Sequence, residues 1–335
     1  MSNTTLSEIA RIMMQPGKGI LAMDESLSTC NKRFAAMGIP QTVEARQAYR
    51  DMIVTAPGLG KSISGAILFD ETIRQNTKDG RPMPKALMDA GILPGIKVDG
   101  GAKSLAGFPN EKITEGLDGL RQRFAEYKSL GAQFAKWRAV ITIGKGIPSY
   151  TCIIANAHAL GRYAAICQEA GIVPMVEPEV LMDGDHDIHT CYEVTRRTLQ
   201  TVFDQLYLQR VDLRGMILKP NMVIPGKDSP KQNTIDEVAK STVDVLLASV
   251  PAAVPGIAFL SGGQSAKSAS AHLNAINKNY GHRLPWVVTF SYARAIQQEA
   301  MEIWRGNDAN VGKAQEALVF RAACNAAARR GEYKE

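Results

Sequence analysis

The chain has 335 residues, 45% of them hydrophobic and 21% charged, which is the composition of a globular protein rather than a disordered or fibrous one. Its net charge of +6 is mild, and no dense block of lysine and arginine indicates a nucleic-acid partner. No apolar run is long enough to span a bilayer, and the N-terminal sequence lacks the basic and apolar regions of a secretory signal. These features predict a soluble protein with no nucleic-acid or membrane partner, and the positive excess suits an anionic small-molecule substrate.

The cysteines are odd in number and widely spaced, and none forms a Cys-x-x-Cys pair: Cys30, Cys152, Cys167, Cys191 and Cys324. This spacing indicates neither a disulfide framework nor a zinc site. We therefore expect the thiols to stay reduced in the cytoplasm, or in a plastid stroma if a transit peptide has been removed.

Predicted helices and strands alternate along the chain. The N-terminal segment is predicted to be helical, with Thr5 and Glu8 spaced as a capping box, and a short strand follows at residues 19–24. Seven more apolar runs predict strands at residues 63–69, 92–98, 134–141, 172–176, 216–218, 257–260 and 286–290. Amphipathic stretches such as LDGLRQRFAEYKSLG, ANAHALGRYAAICQEAG and IDEVAKSTVDVLLAS predict helices between them, several with a glycine at the C-terminal cap.

Eight strands joined by helices, with no long linker, predict one domain over residues 1–335. The expected fold is α/β, a single-domain (β/α)8 TIM barrel with an extra N-terminal helix and C-terminal helices. An open doubly wound sheet is the alternative, but the first strand is not followed by a glycine-rich dinucleotide fingerprint.

Charged and polar residues mark the C-terminal ends of the predicted strands, where the active site of a barrel lies. They are, in chain order, Asp24, Lys97, Lys136, Arg138, Glu177, Glu179, Lys219, Ser261 and Ser291. Side chains alternate along a strand, so Lys136 and Arg138 share one face. Any one of these residues could simply meet solvent, but charges in apolar strands are unfavourable unless they are paired. Their joint occurrence predicts one site in the mouth of the barrel.

Lys219 stands at the end of a buried strand, and Pro220 stops the strand behind it. We expect Lys136 and Lys97 to be its positively charged neighbours. Desolvation and like charges favour the neutral form of a lysine, as in catalytic lysines whose pKa falls from about 10.4 to roughly 7–8. Because a neutral amine attacks carbonyl carbons, the sequence predicts a Schiff base at this position.

The segment LSGGQS, residues 260–265, offers glycine amides to an anion in the loop after the seventh barrel strand. This loop and the next one form the common phosphate site of the architecture, and Arg294 adds a guanidinium suited to a bidentate contact. A Ser-Gly-Gly turn often binds nothing, so the prediction depends on its place beside the lysine.

The segment DGDHDIH, residues 183–189, has the residue types of a metal site. A catalytic zinc site usually has three protein ligands, and no motif ties a further histidine to His186 and His189. Asp183 and Asp185 suit a loop and a helix start equally well. We therefore expect no metal and no other cofactor.

The segments GILAMDES, GIKVD, FAKWRAV, GIVPMVEPEVL, LKPNMV, FLSGGQS and FSYAR resemble class I fructose-1,6-bisphosphate aldolase, and they occur in the family's order over nearly the whole chain. The resemblance implies a TIM barrel, usually a homotetramer, that works without a metal in glycolysis, gluconeogenesis or the Calvin cycle. It also implies reversible cleavage of fructose 1,6-bisphosphate to dihydroxyacetone phosphate and glyceraldehyde 3-phosphate through a lysine Schiff base.

The same resemblance implies a role for each site residue. Lys219 would form the Schiff base with the substrate ketone, and Glu177 would move the proton in carbinolamine dehydration, with Glu179 tuning the lysines. Lys136 would assist carbinolamine chemistry, and Asp24 would accept the proton of the hydroxyl whose oxyanion drives carbon–carbon cleavage. The ketone-side phosphate would be held by Ser261, Gly262 and Arg294, and the other end of the substrate by Ser26, Lys32, Arg33, Lys97 and Arg138.

Two features depart from the family pattern. The common DESTGS reads DESLST here, so Ser28 replaces a glycine and Thr29 replaces a serine. The chain also stops at Glu335, without the mobile tail that ends in a tyrosine and carries proton exchange in many relatives. Since Tyr333 aligns before that tail, we expect that another group exchanges the proton or that the tail has been removed.

Three other functions stay open. The substrate could be a related sugar phosphate such as sedoheptulose bisphosphate. A different Schiff-base lyase, such as a transaldolase or a keto-acid aldolase, generally lacks two phosphate-binding ends, so a substrate without the distal phosphate would distinguish it. A non-catalytic scaffold would need neither the lysine nor the glutamates.

Overall fold

The computed structural model describes residues 5–334, which form ten strands and twelve α-helices. The strands are β1 (Gly19–Ala22), β2 (Ile63–Leu68), β3 (Leu93–Lys97), β4 (Ala102–Ser104), β5 (Lys112–Thr114), β6 (Phe134–Ile141), β7 (Val173–Val180), β8 (Ile217–Leu218), β9 (Gly256–Phe259) and β10 (Val287–Tyr292). All except the hairpin β4–β5 are parallel and close into one barrel in the order β1-β2-β3-β6-β7-β8-β9-β10. Each of the eight predicted strands is one of these barrel strands, so the predicted barrel is confirmed.

One helix precedes the first strand, and the others lie between and after the strands, as the sequence predicts. They are α1 (Leu6–Met13), α2 (Leu27–Ala35), α3 (Val43–Val54), α4 (Asp70–Ile73), α5 (Met83–Asp89), α6 (Leu120–Ser129), α7 (Tyr150–Glu169), α8 (Ile188–Leu208), α9 (Ile235–Ser249), α10 (Ala266–Tyr280), α11 (Arg294–Trp304) and α12 (Val311–Arg329). Thr5 and Glu8 form the predicted capping box of α1. Gly131 and Gly171 follow α6 and α7 with φ of 102° and 69°, a backbone conformation that favours glycine at a helix end. No helix within residues 5–334 has the length and apolar character needed to cross a membrane.

The fifth barrel strand extends beyond its predicted apolar run. The run ends at Val176, and β7 continues through the charged segment VEPEV to Val180. The extension forms because Glu177 pairs in register with Arg138 of β6, so charged residues continue a strand after its apolar run has ended. The hairpin β4–β5 is not predicted, since its strands have three residues each and show no recognisable period.

Apolar side chains fill the N-terminal half of the barrel interior. This apolar layer includes Ile20, Ile67, Phe134, Met175 and Ile217, and it is covered by Met13 of α1 and by Met14, the residue that follows the helix. Small residues make room for the large ones, because a Cβ at Gly95 would collide with the ring of Phe134 and one at Gly256 would collide with Met14. The N-terminal end of the barrel is therefore a packed core, and the charged side chains of the barrel strands lie toward the other end.

Candidate active site

A cavity of about 930 Å³ opens at the C-terminal ends of the barrel strands. Twelve of the residues predicted from the sequence line it: Asp24, Ser26, Lys97, Lys136, Arg138, Glu177, Glu179, Lys219, Ser261, Gly262, Ser291 and Arg294. Four charged lining residues are absent from the prediction: Glu25, Asp99, Asp183 and Lys227. Each of these four follows a strand or lies in a loop. A charged residue at such a position can line a cavity or face solvent, and the sequence does not show which.

Four buried charged side chains form what we call the floor network, at the bottom of the cavity: Asp24, Lys136, Glu177 and Lys219. The Nζ of Lys136 lies 2.7 Å from Oδ2 of Asp24 and 3.3 Å from Oε2 of Glu177. The Nζ of Lys219 lies 3.2 Å from Oε1 of the same glutamate. Glu177 therefore stands between two amines and is close enough to Lys219 to exchange a proton with it.

Neighbouring strands bring this network together. Lys136 and Glu177 are adjacent because β6 and β7 pair in parallel, with Arg138 opposite Glu177. The short strand β8 is continued by the amide of Lys219, which donates to the carbonyl oxygen of Val176 at 2.8 Å. Pro220 has no amide hydrogen to continue the ladder. The strand therefore ends with the Lys219 side chain in the cavity.

Opposite charges fix the protonation of two members of the network. Burial by itself would raise the pKa of Asp24, but the positive charges of Lys136 and Lys219 lower it to about 2. Burial would lower the pKa of Lys136, but the carboxylates of Asp24 and Glu177 hold it above its usual value. At neutral pH Asp24 is therefore a carboxylate and Lys136 is an ammonium.

Lys219 lies in a cluster of cations and carboxylates. The ion-pair partner of its Nζ is the carboxylate of Glu177, which also contacts the predicted neighbour Lys136. Within residues 5–334, the amine of Lys136 has two carboxylates within ion-pair distance and that of Lys219 has one. Lys136 is thus the firmly held ammonium, and Glu177 is in place to accept a proton from Lys219.

Two further ion pairs line the wall of the cavity. Nε of Arg138 donates to Glu179, which we predicted to tune the lysines but which pairs here with the arginine. The Nζ of Lys97 lies 2.6 Å from Oδ1 of Asp99. Asp99 also accepts from the amide of Gly101 at 3.1 Å and from that of Arg138 at 3.2 Å. Asp99 therefore orients Lys97 and connects two segments of the wall.

The loops after β9 and β10 supply the features of an anion site. Ser261, Gly262, Gly263 and Arg294 all line the cavity. Gly262 and Gly263 have φ of 52° and 85°, a conformation that favours glycine. A Cβ at Gly263 would lie 3.8 Å from Nη2 of Arg294, so the loop and the guanidinium are neighbours. Arg294 is also the first residue of α11, whose N-terminus contributes the positive end of the helix dipole.

The segment DESLST keeps its hydroxyl groups at the cavity. Ser26 caps α2 by accepting from the amide of Thr29 at 3.3 Å. Its Oγ lies 3.1 Å from the hydroxyl oxygens of Ser28 and Thr29, and all three residues line the cavity. Ser28 and Thr29, which replace the family's glycine and serine in this segment, therefore place hydroxyl groups on this wall.

Lys32 and Arg33 are the two predicted site residues that do not line the cavity. Lys32 is exposed on α2. Nη1 of Arg33 donates to Glu25, and Nη2 donates to Gln298 of α11 at 3.3 Å. These contacts hold α2 against α11, so the guanidinium of Arg33 is directed at protein partners instead of at the cavity.

The segment DGDHDIH has structural contacts at both ends. Asp183 pairs with Lys227 at 2.7 Å, and Asp187 caps α8 by accepting from the amide of Thr190 at 2.8 Å. Burial lowers the pKa of His186, whose two ring nitrogens have no hydrogen-bond partner in the described part of the chain. Residues 5–334 contain no group of three or more His, Cys, Asp or Glu side chains arranged to hold a metal ion.

Comparisons with known proteins agree with this geometry. Residues 5–335 match the family model described as fructose-bisphosphate aldolase class-I. A protein of Xanthomonas campestris pv. campestris named probable fructose-bisphosphate aldolase class 1 is 58% identical over 335 residues, which cover 100% of both chains. The cytoplasmic isozyme of fructose-bisphosphate aldolase from Cicer arietinum is 50% identical over 320 residues, covering 95% of this chain and 89% of the relative.

A solved structure gives the same result for the fold. Fructose-bisphosphate aldolase from Plasmodium falciparum, in complex with TRAP and a small-molecule inhibitor, matches with a TM-score of 0.97 and 45% identity, covering 100% of this chain and 99% of that one. The chain therefore belongs to the class I fructose-bisphosphate aldolase family, and it is a carbon–carbon lyase of the aldehyde-lyase class.

Proposed function

We propose that this protein catalyses the reversible cleavage of fructose 1,6-bisphosphate to dihydroxyacetone phosphate and glyceraldehyde 3-phosphate through a Schiff base on Lys219. The observation that carries the mechanism is the floor network, in which two buried lysines share one carboxylate. Family membership supports the substrate. Groups suited to a phosphate on both sides of the network support a bisphosphate: Ser261, Gly262 and Arg294 on one side, and Ser26, Lys97 and Arg138 on the other.

The first half of the reaction forms the imine. Nζ of Lys219 transfers a proton to Glu177, 3.2 Å away, and attacks the carbonyl carbon of the ketone. Glu177 then returns a proton to the carbinolamine hydroxyl, which leaves as water. The product is an iminium ion, whose positive charge makes it a sink for the electron pair released in the next step.

The second half breaks the bond between C3 and C4 of the hexose. Asp24 accepts the proton of the C4 hydroxyl, and the electrons of the C3–C4 bond move to the iminium while the aldehyde carbonyl forms. Glyceraldehyde 3-phosphate leaves, and an enamine remains on Lys219. Protonation of the enamine carbon and hydrolysis of the imine then release dihydroxyacetone phosphate and regenerate the amine.

Lys136 supports both halves as a fixed positive charge. Its ammonium contacts Asp24 and Glu177, the two carboxylates that move protons in the proposed reaction. Buried carboxylates without a positive partner would take up protons and lose their basic function. The contact with Lys136 keeps Asp24 ionised and available as a proton acceptor.

Trapping with borohydride tests the proposed nucleophile. The protein is incubated with dihydroxyacetone phosphate and borohydride, which reduces an imine to a stable secondary amine, and the adduct is located by peptide mass spectrometry. We expect one adduct, on Lys219, and none in a sample without borohydride. An adduct on Lys136 instead would assign the nucleophile to the other amine. Cleavage of the hexose bisphosphate with no adduct would refute the Schiff-base mechanism.

The proposal extends to domain organisation, assembly and location. It comprises a single domain over residues 1–335, a homotetramer, a cytoplasmic location and a role in glycolysis or gluconeogenesis. The name of the Cicer arietinum relative supports the compartment.

Self-association is supported by an apolar surface at the end of α8, where Tyr207 and Leu208 are 82% and 65% exposed. Native mass spectrometry tests the tetramer, and monomers at micromolar concentration would contradict it.

A further inference from the structure

The charges that line the cavity are balanced before a substrate enters. Six lining residues are positive (Lys97, Lys136, Arg138, Lys219, Lys227 and Arg294) and six are negative (Asp24, Glu25, Asp99, Glu177, Glu179 and Asp183). A bisphosphate adds about three to four negative charges at pH 7. Its binding therefore depends on cations that can leave the carboxylates they already contact.

The cations differ in how firmly they are held. Within residues 5–334, Arg294 is the one lining cation without a carboxylate partner. Four others pair with carboxylate side chains that are at most 11% exposed: Lys97, Lys136, Arg138 and Lys219. The fifth paired cation is Lys227, whose Nζ lies 2.7 Å from Oδ1 of Asp183, and these two side chains are 53% and 60% exposed. An exposed pair is weak, whereas breaking a buried pair leaves an uncompensated charge. Lys227 is therefore the paired cation that a phosphate releases most easily.

The backbone of Lys227 is fixed next to the groups suited to the ketone-side phosphate. The amides of Gly226, Lys227 and Asp228 donate to the carbonyl oxygens of His186, Met182 and Gly184 at 2.8, 2.8 and 2.9 Å. These three bonds join the loop after β8 to the loop after β7. Met182 in turn packs against the loop after β9, since a Cβ at Gly263 would lie 2.9 Å from its Sδ and 3.8 Å from Nη2 of Arg294. Lys227 is thus connected to the neighbourhood of Arg294 through Met182.

The same contacts restrict movement to the side chain of Lys227. A Cβ at Gly226 would collide with the carbonyl oxygen of Gly184, so the two loops approach as closely as glycine permits. The backbone at Lys227 therefore cannot shift alone, and its long, half-exposed side chain is the part that can turn from Asp183 toward an anion in the cavity.

We propose that Lys227 leaves Asp183 when substrate binds and donates to the ketone-side phosphate, next to Arg294. This inference rests on the proposed function, because it needs a phosphorylated ketone held at Lys219. Asp183 is the competing anion, since its carboxylate occupies the ammonium of Lys227 before substrate enters. Lys227 then contributes to the selection of a phosphorylated ketone. Asp183 lowers the affinity of the site for that phosphate, because it competes for the ammonium of Lys227.

Two substitutions with opposite expected effects test the proposal. Lys227→Met removes the charge and keeps the chain length, and Asp183→Asn removes the competing anion. For fructose 1,6-bisphosphate and for fructose 1-phosphate, both of which carry the ketone-side phosphate, we expect Lys227→Met to raise KM about three- to tenfold. We expect Asp183→Asn to lower KM about two- to threefold, with kcat nearly unchanged in both variants. A purely structural effect of losing the pair would shift both variants in the same direction.

Lys231→Met is the matched control, because Lys231 is an exposed lysine after the same strand and does not line the cavity. Equal KM values for Lys227→Met and Lys231→Met would overturn the proposal. An increase for the bisphosphate alone would also overturn it, because it would assign Lys227 to the distal phosphate.

Borohydride trapping separates failure of this inference from failure of the proposed function. The concentration of dihydroxyacetone phosphate that gives half-maximal trapping should rise in Lys227→Met by the same factor as KM. If the half-maximal concentration is the same in the wild type and in Lys227→Met, the role of Lys227 is refuted and the proposed function is not. A wild-type protein that forms no adduct would refute the proposed function itself.

Discussion

Phe134 and Lys136 are two residues apart on the same face of β6, yet they belong to opposite halves of the barrel interior. Phe134 lies in the apolar layer beneath α1, where Gly95 leaves space for its ring. Lys136 lies in the floor network, between Asp24 and Glu177. Both side chains are buried. The two positions are therefore similarly buried, and they differ in the chemical nature of their neighbours.

The difference separates the part of the barrel that stabilises it from the part to which we assign the proposed reaction. Apolar side chains gain free energy when they leave water, whichever apolar neighbours they meet, so the lower layer stabilises the fold. Buried charges are unfavourable unless each has a partner, and even then an apolar replacement is often as stable. The four charges at the floor are therefore better explained by the proposed reaction than by stability. In that proposal, one strand contributes to stability at position 134 and to chemistry at position 136.

Lys219→Met should have the largest effect on the reactive half. Without the amine no imine forms, so we expect kcat for fructose 1,6-bisphosphate to fall by at least about 10⁴-fold. Glu177 keeps Lys136 as a partner, so the variant should fold, and its far-UV circular dichroism should match that of the wild type. A folded variant that retains more than a small fraction of the cleavage rate would show that the reaction does not use this lysine.

Phe134→Ala should have the converse effect in the apolar layer. Loss of the ring leaves a cavity, so we expect the free energy of unfolding in urea to fall by about 3–5 kcal/mol. The kcat of the folded fraction should stay close to that of the wild type, because Phe134 belongs to the apolar layer and the substitution leaves the four charged residues of the floor network in place. Phe134→Leu, which fills more of the space, should lose less stability. A large fall in kcat with unchanged stability would show that the two halves are coupled.

The pH dependence of stability tests whether Asp24 is held as a carboxylate. Its pKa is lowered from 3.8 to about 2 in the folded protein, so its ionisation stabilises the fold above about pH 4. This contribution, on the order of 2 kcal/mol, is lost as pH falls from about 4 to about 2. The stability difference between wild type and Asp24→Asn, measured by urea unfolding, should therefore shrink over that interval. A difference that does not change with pH would contradict the pairing of Asp24 with Lys136.

Lys32→Met should have the smallest effect. Lys32 is exposed on α2 and does not line the cavity, so we expect KM for fructose 1,6-bisphosphate to change by less than about twofold. Lys97→Met removes the same charge from inside the cavity, and steady-state kinetics should show a KM increase of about tenfold or more. Equal increases in the two variants would mean that α2 moves toward the substrate, as the family resemblance implies.

The sequence by itself determined the barrel and most of the site. Parallel strands inside a barrel are buried on both faces, so they appear as eight short apolar runs that need no partner to be recognised. Parallel pairing also brings every C-terminal strand end to one mouth, so Asp24, Glu177 and Lys219 were predicted to meet although each lies on a different strand. Lys219 was identified in this way because a lysine that ends a buried run breaks the apolar pattern.

Only the tertiary structure decided which charges are partners. Glu179 pairs with Arg138 and not with the lysines, and Asp183 pairs with Lys227, 44 residues away in the sequence. Arg33 turns toward Glu25 and toward α11, 265 residues away, and not toward the cavity. Hydrophobic periodicity reports which residues are buried within one element. The direction of a long charged side chain depends instead on which distant segment packs beside it, and that is set only when the loops and helices meet.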